Sequence, residues 1–137
     1  ADMYGKPIPV PKHRIIPAKE RTRITIGNGV QLNIIETLGH ASHHLSYFEI
    51  KSQGVFVGDA AGVYLRKEDV VVPTTPSPFR LDIALSTLQK VADLKPTSLY
   101  YSHFGKAYNA IDRLRAYEDQ LKLWAETAKE GIENSED

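Results

Sequence analysis

The sequence of 137 residues contains no cysteine. That excludes a disulfide framework, a Cys-type zinc finger and a thiol nucleophile. It is compatible with a reducing compartment, so a cytoplasmic location is the expectation. The chain also lacks any apolar run approaching the ~18 residues that would span a bilayer. Lys6, Lys12, Arg14 and several prolines break up the opening stretch, which has no signal-peptide pattern, so no membrane association is expected. An excess of charge of one sign is missing too: 17 basic residues balance 17 acidic ones. Without a basic surplus there is no electrostatic footprint for nucleic acid, and a small-molecule substrate is the better expectation. Internal repeats and low-complexity segments are also absent.

What is present reads as one ordinary globular domain over residues 1–137, with 42% hydrophobic and 25% charged residues. Residues 1–20 carry Pro7, Pro9, Pro11 and Pro17 and are expected to be extended. Alternation then sets in. Arg23 to Ile26 reads as a strand, Gly27-Asn28-Gly29 as a hairpin turn, and Val30, Leu32 and Ile34 as the apolar side of a second strand. Leu45 to Lys51 gives a third strand and Val55-Phe56-Val57 a fourth, expected to be buried on both faces. Ser77 and Pro78 suit the start of a helix whose apolar side holds Leu81, Leu85, Leu88, Val91 and Ala92, and Lys95-Pro96 stops it. Ser98 to Ser102 is a fifth strand. Asn109, with Asp112 three residues on, suits the cap of a last helix with an apolar stripe of Ile111, Leu114, Leu121, Trp124, Ala128 and Ile132. Trp124 reads as that helix's anchor, and residues 132–137 as a frayed acidic tail.

The pattern is therefore α/β (α+β): a mostly antiparallel sheet of about five strands with two amphipathic helices on one face. The other face has no cover within the chain, and soluble monomers rarely leave so large an apolar patch bare. A homodimer or an additional segment should lie there.

Three strings place metal-binding side chains just past strand-like runs: TLGHASHH with His40, VFVGD with Asp59, and LYYSHFG with His103. Each alone has a duller reading as a turn or strand-end residue. In conjunction, His, Asp and His delivered by three loops to one sheet edge suit a divalent metal such as Zn2+, Mn2+ or Fe2+. Gly39 and Gly58 would let the backbone approach such a metal closely. His43 and His44 read as hydrogen-bonding supports beside the site rather than ligands, Tyr47 and Tyr101 as core or sheet-face residues, and His13 as a surface residue. PTTPSPF, between two of the strings, could shape an entrance.

The three strings resemble the later motifs of the metallo-β-lactamase superfamily, with Leu38 where that family usually has proline. The resemblance runs from about Ile15 to Gly105. It implies His40 on one metal, His103 on a second, and Asp59 as the catalytic carboxylate bridging the two and holding the nucleophile. It also implies zinc, with iron or manganese as alternatives, and hydrolysis of an ester, thioester, amide or phosphodiester. The family's leading His-x-His-x-Asp-His motif is absent from the sequence. The resemblance therefore implies the C-terminal half of an αβ/βα sandwich, carrying part of a metal site and weakly active or inactive by itself. The alternative is a non-enzymatic half-domain that pairs with another chain.

Overall fold

The computed structural model describes residues 5–134. Strands β1 (Arg23–Thr25), β2 (Gln31–Glu36), β3 (Leu45–Glu49) and β4 (Gly54–Gly58) form an antiparallel meander. Its first turn is the expected Gly27-Asn28-Gly29, all three at positive φ. A hairpin, β5 (Val63–Leu65) and β6 (Val70–Val72), forms a separate two-stranded sheet. Helix α1 (Leu81–Asp93) then returns the chain so that β7 (Ser98–Tyr101) lies parallel to β4, the crossover that a parallel pair requires. Strand β8 (Lys106–Tyr108) folds back on β7, and helix α2 (Ala110–Glu133) follows. The main sheet thus has six strands in the order β1-β2-β3-β4-β7-β8.

Strands β5 and β6 of the small sheet and β8 of the main one lie outside the five expected, and each is only three residues long. The tight turn at Phe104 and Gly105, both at positive φ, is what lets β8 pair so soon after β7.

Side-chain alternation gives the sheet two different faces. Val55, Val57, Leu99 and Ala107 point to one side and form a closed core with Ala84, Leu88 and Val91 of α1 and Ala110, Leu114, Tyr117 and Leu121 of α2. The row Tyr47, Phe56 and Tyr100 points to the other side, where Phe56 stacks on Tyr100 and is still 44% exposed. The fourth strand is therefore buried on one face, not both. A groove of about 680 Å³ runs along this open face, lined by Leu32, Leu45, Tyr47, Phe56 and Tyr100.

The helix ends also differ from expectation. α1 starts at Leu81 with Arg80 as its cap, not Ser77; Arg80 forms two hydrogen bonds to the Asp82 carboxylate, while Phe79 packs on the core. Asn109 does precede α2, but in a left-handed conformation and without a side-chain capping bond. α2 continues past Gly131 to Glu133, so residues 132 and 133 are helical; 135–137 lie outside the described residues. Trp124 is 48% exposed and anchors nothing on the core; Leu114, Tyr117 and Leu121 do that. The proline-rich start is broken by one 3-10 turn, Lys12–Arg14, which leaves His13 exposed. Among the described residues no helix is long and apolar enough to cross a membrane.

Candidate metal centre

Asp59 sits just past the end of β4, where the ladder to β7 is interrupted between Phe56 and Gly58. His40 lies on the loop between β2 and β3, and His103 in the β7–β8 turn. The fold brings all three to one edge of the sheet. His40 Nε2 is 3.6 Å from Asp59 Oδ2, and His103 Nε2 is 3.5 Å from Asp59 Oδ1. Each histidine thus faces its own oxygen of one carboxylate. Among the described residues no three His, Asp or Glu side chains converge on a single metal position. The arrangement is two N···O pairs sharing Asp59.

The hydrogen bonds around His40 determine which of its nitrogens carries the proton. Thr74 Oγ1 donates to the Asp59 carbonyl (3.2 Å). With its only proton committed there, Thr74 Oγ1 accepts from His40 Nδ1–H at 3.1 Å, and the Thr74 carbonyl lies 3.3 Å from the same nitrogen. His40 Nε2 is then a bare lone pair aimed at a carboxylate oxygen. Two acceptors facing each other across 3.6 Å suit a cation between them. Nitrogen and oxygen ligands at ~2.0–2.1 Å from a tetrahedral metal sit about 3.4 Å apart, close to both gaps. Asp59 Oδ1 is buried with no hydrogen-bond partner, which a metal ligand would be. The donor set therefore fits a divalent cation at each pair, with further ligands needed to complete either site.

His44 has a different position. Its ring lies behind Asp59, where Nε2 accepts the Asp59 backbone N–H at 3.1 Å and Nδ1 is 2.8 Å from Thr37 Oγ1. Burial, with His40 nearby, holds its pKa below the ordinary imidazole value, favouring the neutral ring. With both nitrogens engaged, it has none to offer a metal. His43 is exposed and lines a second groove of about 520 Å³ with His40, Pro76, Pro78 and Arg80, which puts part of the PTTPSPF segment beside the site.

Both glycines leave room for neighbouring side chains and backbone. A Cβ on Gly58 (φ +57) would lie 2.5 Å from His44 Nε2, and one on Gly39 (φ +130) would lie 3.0 Å from the backbone of Ala84 in α1. Thr37, Ser46 and Thr74 are supports that reading the sequence missed. Ser46 carried a signal: it is a polar residue at an inward position of a strand.

No family model matches the chain. The metallo-β-lactamase fold-containing protein ST1585 of Sulfurisphaera tokodaii is 32% identical over 92 residues, which cover 67% of this chain and 33% of that protein. The crystal structure of ST1585, an archaeal metallo-β-lactamase superfamily protein, superimposes with a TM-score of 0.65 at 29% identity, covering 81% of this chain and 40% of that one. The chain belongs to the metallo-β-lactamase superfamily. A metallo-β-lactamase family protein from Thermus thermophilus, TTHA1429, shares the fold at a TM-score of 0.65 and 22% identity, over 82% of this chain and 36% of its own. This superfamily chain spans about a third of the length of the curated relative it matches.

Proposed function

We propose that the chain supplies part of the metal site of a metallo-β-lactamase-type hydrolase, as the C-terminal half of its catalytic domain. His40 and Asp59 would serve one divalent cation, and Asp59 and His103 another. The observation that carries this reading is the pair of N···O gaps at 3.6 and 3.5 Å on the two oxygens of one carboxylate. Zinc suits such donors best, with iron or manganese sharing the preference. When bound, such a cation polarises a substrate oxygen and acidifies water, the chemistry of ester, thioester, amide or phosphodiester hydrolysis. The chain's own residues have narrower tasks. Asp59 presents one oxygen to each histidine, and Thr74 turns His40 so that Nε2 faces the site.

One histidine and a shared carboxylate per cation fall short of the three or four protein ligands usual for zinc. The isolated chain is therefore expected to bind metal weakly and to hydrolyse slowly or not at all, the remaining ligands coming from an N-terminal half. That half, or a second copy in a homodimer, would also cover the open face. The same aromatic row supports a second reading, a non-enzymatic half-domain that docks on another chain through Tyr47, Phe56 and Tyr100.

Calorimetry with Zn2+ and Co2+ tests the first reading. Wild type should bind, and Asp59→Ala, which touches both pairs, should abolish binding. A wild-type chain with no measurable affinity leaves the docking reading. Hydrolysis by the isolated chain at an ordinary enzymatic rate, lost in His40→Ala, would overturn the partial-site reading.

A further inference from the structure

Asp59 lies where the sheet stops holding the chain, so something other than a β-ladder must fix it. Its carbonyl is held by Thr74 Oγ1 at 3.2 Å and by the Gly62 N–H at 3.1 Å. Its N–H is held by a ring nitrogen, His44 Nε2. Behind that ring runs a line of buried hydroxyls. His44 Nδ1 meets Thr37 Oγ1 at 2.8 Å, Thr37 Oγ1 meets Ser46 Oγ at 2.7 Å, and Ser46 Oγ donates to the Val57 carbonyl at 3.3 Å. Thr37 and Ser46 are both 0% exposed.

The direction of every bond is forced from the far end. A carbonyl only accepts, so Ser46 spends its proton on Val57 and must accept from Thr37. Thr37 then has no proton left for the ring and must accept from His44 Nδ1–H. That leaves Nε2 bare, the form that can accept the Asp59 N–H. Read from the other end, the Asp59 amide demands the same arrangement. The line starts at Asp59 and ends at Val57, two residues earlier on the same segment, so the hydroxyls report the position of β4 to the residue that leaves it. Gly58 admits the ring, since any Cβ there would strike it.

We propose that His44 is a positioning residue: protonated at Nδ1 by its Thr37–Ser46–Val57 line, it clamps the Asp59 main chain and so aims the carboxylate between His40 and His103. The consequence for metal binding rests on the function proposed above; the clamp itself does not.

Nitrogen-resolved NMR on the full chain tests both parts. Wild-type His44 should carry its proton on Nδ1, and the Asp59 amide should be protected from exchange. Thr37→Val keeps the side chain's shape and removes the acceptor for Nδ1–H together with the donor to Ser46. With Nδ1–H left without its acceptor, the Nδ1 tautomer should lose its bias, Asp59 amide protection should fall, and Co2+ affinity should drop about 10- to 100-fold, the usual range for a residue behind a metal ligand. His44→Gln, whose side-chain oxygen can accept the amide, should keep more protection and affinity than His44→Phe, and this pair decides the matter if Thr37→Val does not fold. A wild-type His44 protonated at Nε2, or Asp59 protection unchanged in His44→Phe, overturns the clamp. A wild-type chain that binds no Co2+ overturns the metal reading instead, while the tautomer and amide signals still decide for or against His44.

Discussion

The same strands make both faces of the sheet, yet one face is closed and the other is open. On the closed face Val55, Val57 and Leu99 are 0% exposed beneath the two helices. On the open face the neighbouring positions of those strands carry Phe56 and Tyr100, stacked on each other with Phe56 still half in solvent. Alternation alone would predict polar residues there. Aromatic residues take their place and leave an apolar row along the groove, the row that the proposed partner would cover. The site lies at the edge where the two faces meet, since Gly58 lines the open groove while Asp59, one residue on, faces His40 and His103.

The largest expected effect belongs to the closed face. Leu99→Ala removes a fully buried side chain and should cost about 2–5 kcal/mol in urea denaturation. A loss below ~1 kcal/mol would mean that the core does not sit where the contrast between the faces puts it.

Next comes the edge. Gly58→Ala places a Cβ against His44 at a φ of +57 and should cost about 1–3 kcal/mol through backbone strain and displacement of the ring. Its exchange pattern should show the loss concentrated at the Asp59 amide. An unperturbed Asp59 amide would separate the glycine from the clamp.

Phe56→Ala sharpens the comparison directly. On a half-exposed face it should cost only about 1 kcal/mol in dilute solution. If a second copy covers that face, the cost should grow with protein concentration, and sedimentation should show the dimer weakened. A cost matching that of Leu99→Ala at every concentration would break the distinction between the faces.

Much of this contrast was legible in the sequence, and the reasons are physical. Runs such as Val55-Phe56-Val57 and the Leu88–Val91 spacing carry enough apolar periodicity to identify strands and helices without tertiary information. The lone histidines and Asp59 were legible because each follows a strand-like run. The three-residue strands were not, since β5, β6 and β8 gain their pairing from turns and neighbours instead of a pattern of their own. Trp124 misled because apolar spacing continues along α2 after the helix has outrun the sheet; 24 residues extend about 36 Å. Thr37 and Thr74 were illegible for a different reason. A hydroxyl's role here depends on which proton its neighbour has already committed, and that is a property of the assembled network.

The smallest expected effect concerns the closed face at high pH. Tyr101 and Tyr117 pack into its core, and burial raises both phenols above the ordinary tyrosine value. Tyr64, stacked on Tyr101, is raised chiefly by donating its hydroxyl to Asp69 at 2.8 Å. A group whose pKa is higher folded than unfolded contributes stability that is complete below the unfolded value, about 10 for tyrosine, and is lost as pH rises toward the folded value. Stability should therefore begin to fall above about pH 10, and phenolate absorbance from these three rings should appear at higher pH than in the unfolded chain. Tyr101→Phe should remove part of that alkaline slope while leaving acid stability unchanged, because it deletes the ionisable group and keeps the packed ring. Tyr101 Oη is buried with no hydrogen-bond partner, so the substitution should not destabilise the fold at neutral pH. A marked loss there would place an unseen partner, such as a bridging water, on that oxygen and would make the closed face wetter than its packing implies.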